Sequence, residues 1–337
     1  MPYVPAVPDK NIFKSGSGAF FSMKLSVVVP VFNEADNLVP LHSSLVKVLS
    51  SLKGVLSYEV VFVDDGSSDG SSSVLERLHS SDKCVRVVEL RRNYGQTAAI
   101  SAGFSASSGD VVVVMDSDLQ NDPADIPLLL GEMGKGFDVV SGWRARRHDS
   151  LIFKKLPSLF SNWLARRLTG LSLHDFGCSL KAYRRSALED VRLYGEMHRY
   201  IPAILHMRGY RIGEVKVSHH PRLHGRSKYG FKRLLRGVLD LFFIKFWSGY
   251  STRPLHFFGL LGFLSAFLGG VIGVANISYY LFVVGRFSGI GPLLLLSALL
   301  FILGFQLVFF GFLAEIIIRS YYSSGSESPY YVRRVLK

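Results

Sequence analysis

A run of four valines at residues 111–114 constrains the fold of this chain more than any other feature. β-Branched residues without polar alternation predict a strand buried on both faces, as in the middle of a helix-covered sheet. The run leads directly to Asp116 and Asp118, and Pro123 marks the turn that follows. Open α/β sheets bind ligands beyond the carboxyl ends of their strands, so both acids stand where a ligand is expected. A solvated Asp-Ser-Asp turn is the alternative.

Three earlier segments share the pattern of a buried strand, at residues 25–31, 58–63 and 85–90. A helix-like segment follows each of them, ending near residues 52, 79 and 107. Strands that alternate with helices predict βαβ units. We therefore expect an α/β domain with a mostly parallel sheet.

The first strand runs into residues 30–34, which contain no glycine. A dinucleotide-binding fold needs a glycine-rich turn there, so that backbone can approach the pyrophosphate. The sequence also lacks a phosphate-cradling lysine loop of the P-loop kind. Phosphate charge would then be met by a metal at Asp116 and Asp118 and by guanidinium groups such as Arg144.

The charge balance indicates an anionic partner. Lys and Arg total 39 against 26 Asp and Glu, which gives a net charge of +13. Such an excess suits nucleic acid, a membrane surface or a phosphorylated substrate. The two cysteines, Cys84 and Cys178, are too few to hold a fold together and suit a reducing compartment. Residues 1–22 lack the features of a signal peptide and are predicted to be a disordered leader.

Two apolar stretches near the C-terminus, residues 255–284 and 290–318, are each long enough to cross a hydrocarbon core about 30 Å thick. A glycine-rich turn joins them, which predicts a transmembrane hairpin. Lys and Arg cluster before and after the hairpin, and only Arg286 lies in its loop. The positive-inside rule then places the large domain and both termini in the cytoplasm. A buried hairpin in a soluble protein is the alternative.

Two basic amphipathic segments, residues 151–171 and 230–250, either pack on the domain or lie in the membrane interface. The second runs straight into the hairpin, which favours the interface. Glycines in the hairpin allow close helix packing, including between the subunits of a homo-oligomer.

Several motifs, in this order, resemble those of family 2 glycosyltransferases with the GT-A fold. They are residues 30–34, 63–67 and 116–120. Residues 174–185 and 225–229, together with the hairpin, resemble more narrowly the polyprenyl-phosphate glycosyltransferases. The resemblance covers residues 25–319. It implies a Rossmann-like nucleotide-diphospho-sugar transferase domain followed by two transmembrane helices, as in bacterial undecaprenyl-phosphate glucosyltransferases.

The resemblance also implies the role of each site residue. Nucleotide-sugar contacts fall to Pro30, Phe32, Glu34, Asp64, Asp65 and Asp116, with Arg226 and Lys228 as a lid over the donor. The ligands for Mg²⁺ or Mn²⁺ are Asp116, Asp118 and Gln120. The acceptor phosphate is assigned to Arg144, Lys154 and Ser158. The catalytic group comprises Asp116, Asp118, Arg144 and Asp175.

Simpler interpretations stay open at three of these residues. Asp64 and Asp65 precede Gly66, and Asp-Gly commonly forms a turn. Asp175 could cap a turn or pair with Arg184 instead of acting at the reacting centre.

The function implied is inverting transfer of a hexose, glucose from UDP-glucose, onto undecaprenyl phosphate at the cytoplasmic face of the inner (plasma) membrane. One alternative is a dolichyl- or polyprenyl-phosphate mannose synthase that uses GDP-mannose. Another is a non-catalytic, membrane-anchored nucleotide-sugar-binding protein. A processive polysaccharide synthase is disfavoured because the sequence has no Gln-x-x-Arg-Trp run. Nucleic-acid binding is not expected.

These interpretations divide the chain into five parts. They are a leader at 1–22, a catalytic domain at 23–229, a juxtamembrane helix at 230–252, two transmembrane helices at 253–320 and a cytoplasmic tail at 321–337.

Overall fold

A computed structural model describes residues 23–145, 156–189, 191, 193, 197–221, 254–284, 291–323 and 330–336. The chain forms two compact units. The first is drawn from residues 1–242 and 329–337, and the second from residues 243–328. The first unit contains a sheet with helices, and the second is a pair of long helices.

An eight-stranded mixed sheet forms the centre of the first unit, in the order β7-β5-β6-β4-β1-β2-β3-β8. Its strands are β1 (Met23–Val31), β2 (Val55–Asp64), β3 (Val85–Leu90), β4 (Val111–Val114), β5 (Val139–Trp143), β6 (Lys181–Arg184), β7 (Ile212–Lys216) and β8 (Val332–Leu336). β1 pairs in parallel with both β2 and β4, and β2 pairs in parallel with β3. The four strands predicted from the sequence are β1 to β4, and the α/β prediction is confirmed.

Helices cover both faces of the parallel strands, which explains their continuous apolar character. The helices of this unit are α1 (Ala35–Leu49), α2 (Ser71–Ser81), α3 (Gln96–Ala106), α4 (Ile126–Gly134), α5 (Leu156–Thr169), α6 (Arg185–Glu189) and α7 (Ile201–Met207). In α1 the leucines at 38, 41, 45 and 49 recur at helical spacing and are buried in the main core. On the other face, a Cβ built on Gly103 of α3 would lie 2.2 Å from Val28 Cγ1.

β6 changes the direction of the sheet beside the central strand. It pairs antiparallel with β4, in a register that places Lys181 opposite Val114. β5 also pairs antiparallel with β6, and β7 pairs in parallel with β5. The start of β6 therefore lies next to the carboxyl end of β4, where Asp116 follows.

β8 comes from the segment expected to be a cytoplasmic tail and pairs antiparallel with β3. Arg334 Nε donates to Glu89 Oε2 at 2.9 Å, and the same guanidinium also contacts Glu76 of α2. Most residues of β8 are exposed, as is usual for an edge strand, so the segment lacks the apolar pattern that predicts a buried strand. The segment thus adds an edge strand to the first unit, while the tail boundary itself stays a prediction.

The second unit contains α8 (Pro254–Tyr279), a π-helical turn (Tyr280–Val284) and α9 (Pro292–Ser323). Small residues let the two helices pack closely. Ser265 Oγ donates to Leu300 O, and Ser297 Oγ donates to Gly269 O, each at 2.8 Å.

By length and composition alone, two helical stretches, Leu255–Val284 and Pro292–Ile317, could cross a membrane. Only 17% and 6% of their most apolar windows are buried, unlike the core helix of a soluble protein. Both observations agree with the predicted hairpin.

Gly304→Ala is expected to destabilise the packing of α8 against α9. A Cβ at this position would lie 2.5 Å from Gly262 O and 2.7 Å from Ala266 Cβ, so the helices would have to separate. Overpacking of this kind costs about 1–3 kcal/mol. The midpoint of unfolding of the detergent-solubilised protein in mixed SDS micelles measures the effect.

Gly270→Ala is the matched control, because nothing lies within 4 Å of a Cβ built there. It should leave the midpoint unchanged or raise it slightly, since Ala favours helix over Gly. Equal midpoints for the two variants would contradict the close approach at Gly304.

Candidate active site

The carboxyl ends of β1, β2, β3 and β4 meet at one edge of the sheet, and predicted site residues follow three of them. Val31 of β1 pairs with Asp64 of β2, and Asp64 pairs with Glu89 of β3. Val28 pairs with Val114 of β4, two residues before Asp116. Parallel pairing thus brings together side chains that are far apart in the sequence.

Hydrogen bonds join the loops that follow β1 and β2. Asn33 N donates to Ser67 Oγ at 3.0 Å, and Ser68 N donates to Asn33 Oδ1 at 2.8 Å. Ala35 N, at the start of α1, donates to Asp69 Oδ2 at 3.0 Å. The N-terminus of α1 is therefore satisfied by an acid from the neighbouring loop, which fixes both loops as one surface.

Three predicted nucleotide contacts belong to this part of the edge. Pro30 is buried within β1, and Phe32 is half-buried just after it. Glu34 N donates to Ser71 Oγ at 3.1 Å, and Glu34 Oε2 accepts from Asn37 Nδ2 at 2.6 Å. Their contact with a nucleoside stays a prediction.

Asp64 and Asp65 differ in what they hold. Asp64 Oδ1 accepts from Ser67 N at 3.0 Å, as in the Asp-Gly turn left open by the sequence. Asp65 accepts from Tyr94 N at 2.7 Å and Gly95 N at 2.9 Å, both in the loop between β3 and α3. Burial raises the pKa of both carboxyl groups.

Gly66 lets these loops approach each other. Its φ of +71° is in the left-handed region, and a Cβ there would lie 2.6 Å from the carbonyl carbon of Arg92. Only glycine meets both conditions without strain. Asp65 and Gly66 together hold the loop after β3 against the loop after β2.

Asp65→Asn is expected to weaken nucleotide binding about tenfold. In Asn, the amide oxygen can accept from one of the two loop N–H groups, but the NH₂ group then faces the other. That buried N–H is left without an acceptor, which costs about 1–3 kcal/mol. The loop after β3 is then expected to move away from the edge where the sequence predicts the nucleotide. Calorimetric titration with UDP and Mn²⁺ measures the change, with exposed Asp36→Asn as the control. Unchanged affinity in Asp65→Asn would mean that this loop does not shape the nucleotide site.

Asp116 and Asp118 follow β4, as the sequence predicted. Gln96 Nε2, from the first residue of α3, donates to Asp116 Oδ1 at 2.7 Å and orients that carboxylate. Asp118 is 6% exposed, and its Oδ1 accepts from Gln120 N at 3.2 Å. Leu119, between Asp118 and Gln120, has a φ of +59°, a left-handed conformation that costs a non-glycine residue about 1–3 kcal/mol. Strain of this kind concentrates at functional sites.

These acids suit a hard divalent cation. Mg²⁺ is usually held by one or two carboxylates together with substrate phosphate oxygens and water. In the described part of the chain, no cluster of three or more His, Cys, Asp or Glu side chains could hold a metal by itself. Gln120 Nε2 donates to His220 O at 3.5 Å, so this amide is held by a backbone carbonyl. Its role as a metal ligand stays a prediction. Asp116 and Asp118 fit a metal that a diphosphate completes.

A narrow cavity of about 30 Å³ opens beside Asp116 on the β6 side. It is lined by Gln96, Ile100, Val114, Asp116, Gly177, Cys178, Ser179, Lys181, Tyr183, His198, Arg199 and Ile201. Lys181 is 3% exposed and donates from Nζ to Phe176 O at 3.1 Å and to Arg199 O at 3.4 Å. Burial lowers the pKa of Lys181 to about 8. His198 Nδ1 lies 2.7 Å from Thr97 Oγ1 of α3.

Apart from Asp116, the polar residues of this cavity were not predicted from the sequence. Gln96 follows β3, and the rule that placed Asp116 at a strand end would also have selected it. Lys181 lies within a motif quoted for the resemblance, but its position depends on β6, which was not predicted. His198 and Arg199 belong to a 3₁₀ turn (Met197–Arg199) without a distinctive pattern.

Arg144 and Asp175 form a buried ion pair. Arg144 Nε donates to Asp175 Oδ2 at 2.8 Å, and Nη2 donates to Oδ1 at 3.2 Å. Asp175 Oδ1 also accepts from Gly177 N at 3.0 Å, so it caps a turn, as one alternative proposed. The other alternative, pairing with Arg184, is wrong: Arg184 Nε lies 3.4 Å from Asp138 Oδ1, because β6 directs it towards β5.

Glu214 of β7 holds the turn that bears Asp175. Its Oε1 accepts from His174 N at 2.9 Å and from Asp175 N at 3.1 Å. The His174 ring stacks on Trp143, with ring centroids 4.2 Å apart. Arg144 directly follows Trp143, the last residue of β5, and Asp175 is held by Glu214 of β7. These two strands therefore position both members of the ion pair.

Three predicted residues, Lys154, Arg226 and Lys228, lie outside the described residues. Ser158 belongs to α5, and its side chain is also outside them. Their assignments to the acceptor phosphate and to the lid stay predictions.

The chain matches known proteins over almost its whole length. The model of a family described as "Glycosyl transferase family 2" matches residues 26–192. Dodecaprenyl-phosphate galacturonate synthase of Rhizobium johnstonii is 41% identical over 318 residues, which cover 93% of each chain. Undecaprenyl-phosphate 4-deoxy-4-formamido-L-arabinose transferase of Yersinia pestis is 36% identical and covers 93% of this chain and 94% of its own.

Among solved structures, glucosyl-3-phosphoglycerate synthase of Mycobacterium tuberculosis in complex with Mn²⁺, UDP and phosphoglyceric acid has a TM-score of 0.51. It is 19% identical and covers 67% of this chain and 78% of its own. At that identity the likeness concerns the fold.

Proposed function

The chain belongs to the family 2 glycosyltransferases, in the group that acts on polyprenyl phosphates, and from this premise we propose that it transfers one sugar from a nucleotide diphosphate to the phosphate of a membrane-embedded polyprenyl lipid. The observation that carries the proposal is the position of Asp116 and Asp118 beyond β4, at the edge where the loops after β1 and β2 are joined. The hairpin supports a lipid acceptor, because it keeps the enzyme at the bilayer.

The departing diphosphate needs charge stabilisation. Mg²⁺ or Mn²⁺ on Asp116 and Asp118 would act there as a Lewis acid. Gln96 holds the Asp116 carboxylate in one orientation, and Asp175 holds the Arg144 guanidinium in one orientation. Groups fixed before the reaction lower its barrier because they do not reorganise as charge develops.

The nucleophile needs no strong base. A phosphate monoester has a second pKa of about 6 and is largely dianionic at neutral pH. Asp175 is 1% exposed and both of its oxygens accept hydrogen bonds from protein groups. Its role is therefore to orient Arg144. Direct attack by the lipid phosphate on the anomeric carbon inverts the configuration.

The sugar and the base are the finer part of the proposal. The sequence motifs favour glucose from UDP-glucose, with mannose from GDP-mannose as the alternative. The two relatives are named for galacturonate and for 4-deoxy-4-formamido-L-arabinose. All four sugars therefore enter the test.

The membrane orientation follows from the charge asymmetry of the hairpin. We place the catalytic unit and both termini in the cytoplasm, at the inner (plasma) membrane. Reporter fusions at residue 286 and at the C-terminus test this orientation: the loop fusion should report the outer side and the terminal fusion the inner side.

The deciding experiment mixes purified enzyme, undecaprenyl phosphate, Mg²⁺ or Mn²⁺ and one labelled donor at a time. With the correct donor, lipid-linked sugar and free nucleoside diphosphate should appear in equal amounts. A non-catalytic binding protein would bind the donor and release no nucleotide, and this outcome would overturn the proposal. Heat-inactivated enzyme and acceptor-free reactions are the controls.

A further inference from the structure

The cavity beside Asp116 lies on the side of the sheet edge that the nucleoside does not use. The proposed nucleoside contacts follow β1 and β2, and the proposed metal ligands follow β4. β6 lies on the opposite side of β4 from β1, with Lys181 paired to Val114. A nucleotide sugar is linear, with the diphosphate between nucleoside and sugar. A donor with its diphosphate at Asp116 therefore directs its sugar towards β6 and this cavity.

The size of the cavity restricts what enters it. A cavity volume of about 30 Å³ exceeds the roughly 10–15 Å³ that one water needs, so a small polar substituent of a sugar ring can enter it. The ring itself would lie at the mouth, next to Asp116.

The charges on the cavity wall restrict its ligand further. Lys181 and Arg199 are both cationic, and His198 adds a ring that can donate or accept. Asp116 is the only acid among the lining residues, and it is the proposed metal ligand. The wall therefore favours an anionic substituent over a neutral one.

Lys181 has the capacity for one more hydrogen-bond partner in this cavity. Its ammonium group has three donors, and two of them meet the carbonyls of Phe176 and Arg199. Within the described residues no acceptor for the third is found, and the nearby acid, Asp175, is engaged by Arg144. Burial outweighs the attraction of Asp175 for this charge and lowers the pKa of Lys181 to about 8, so the ammonium stays mostly protonated at neutral pH. Burying a charge that shares its nearby acid with another cation is costly. A ligand carboxylate would satisfy both the third donor and the charge.

We propose that this cavity selects donors whose sugar carries a carboxylate, as in a hexuronic acid, with Lys181 and Arg199 as the specificity-determining residues. The inference rests on the proposed function, because it takes the nucleotide orientation from that proposal. A carboxylate at C6 of the sugar would enter the cavity and receive charge-assisted hydrogen bonds from both cations. A neutral hexose would leave Lys181 without its third acceptor.

UDP-galacturonic acid and UDP-galactose provide the direct test, because they differ only in a carboxylate or a hydroxymethyl group at C6. Binding is measured by calorimetry with Mn²⁺ and without acceptor. The wild type should bind the acidic donor at least about tenfold more tightly. Galacturonic acid 1-phosphate against galactose 1-phosphate, as competitors of transfer, repeats the comparison without a base.

Lys181→Met tests the residue, since Met keeps the length of the side chain and removes its charge. The preference for the acidic donor should shrink to within about threefold, and Arg199→Gln should shrink it partly. Lys135→Met is the matched control, because Lys135 is 65% exposed at the end of α4 and pairs with Glu132. It should keep the wild-type preference.

Two results would overturn the inference. The first is a wild type that binds both donors equally. The second is a Lys181→Met variant that weakens both donors by the same factor, which would assign the charge to the diphosphate. Lipid-linked product from a neutral donor would then leave the proposed function standing. Conversely, a preserved preference for the acidic donor with no lipid-linked product from any donor would overturn the proposed function alone.

Discussion

Asp118→Asn is expected to lower the rate of sugar transfer at least about 1,000-fold while leaving the fold intact. Asn has almost the same shape, and its oxygen can still accept from Gln120 N, so the turn after β4 should persist. It lacks the negative charge that holds a divalent cation. A metal contributes several kcal/mol to stabilising the leaving group, and about 4 kcal/mol corresponds to a factor of about 1,000.

Initial rates of lipid-linked product formation measure this effect, with circular dichroism and gel filtration as checks on the fold. Glu132→Gln, a carboxylate of α4 that pairs with Lys135, is the control and should transfer at the wild-type rate. Chelation should stop the wild type, and Mg²⁺ or Mn²⁺ should restore it. Near-normal transfer by Asp118→Asn would remove the metal from the proposal.

Asp175→Ala should reduce both stability and activity. Asp175 is 1% exposed and the Arg144 side chain is 17% exposed, so removing the acid leaves a mostly buried guanidinium without its partner. Breaking such a pair costs about 3–5 kcal/mol. In a unit of this size that lowers the melting temperature by about 10 °C. We expect transfer to fall at least about 100-fold, because Arg144 loses its orientation.

A double-mutant cycle separates the two effects. Asp175→Ala/Arg144→Met removes the stranded charge and should recover much of the stability. It should not recover activity, since the guanidinium proposed to meet phosphate is gone. Arg144→Lys keeps the charge but not the planar fork, and should also be impaired. Full activity in the double variant would show that the pair serves the fold alone.

Local patterns were sufficient wherever burial is periodic or continuous. The valine runs predicted β1 and β4, and two long apolar stretches predicted the hairpin. Asp116 and Asp118 could be placed because the carboxyl end of a buried parallel strand is a recurrent ligand position. The resemblance to polyprenyl-phosphate glycosyltransferases is confirmed by relatives that match 93% of the chain.

Pairings between distant segments could not be read in the same way. Asp175 has Arg144 as its partner, 31 residues away, whereas Arg184 is nearer in sequence and pairs with Asp138. Asp65 was assigned to the nucleoside, and it also holds the backbone of Tyr94 and Gly95. Such contacts depend on which strands become neighbours, and no local spacing records that.

The sequence by itself determined the fold class, the family and the acids beyond β4, because hydrophobic burial and strand-end chemistry leave patterns along a short stretch of chain. Only the tertiary structure decided that Lys181 is buried beside Asp116 and that residues 332–336 complete the sheet. The antiparallel pairing of β6 with β4 and of β8 with β3 made those placements. Strand pairing is a long-range event, and its outcome depends on the whole sheet.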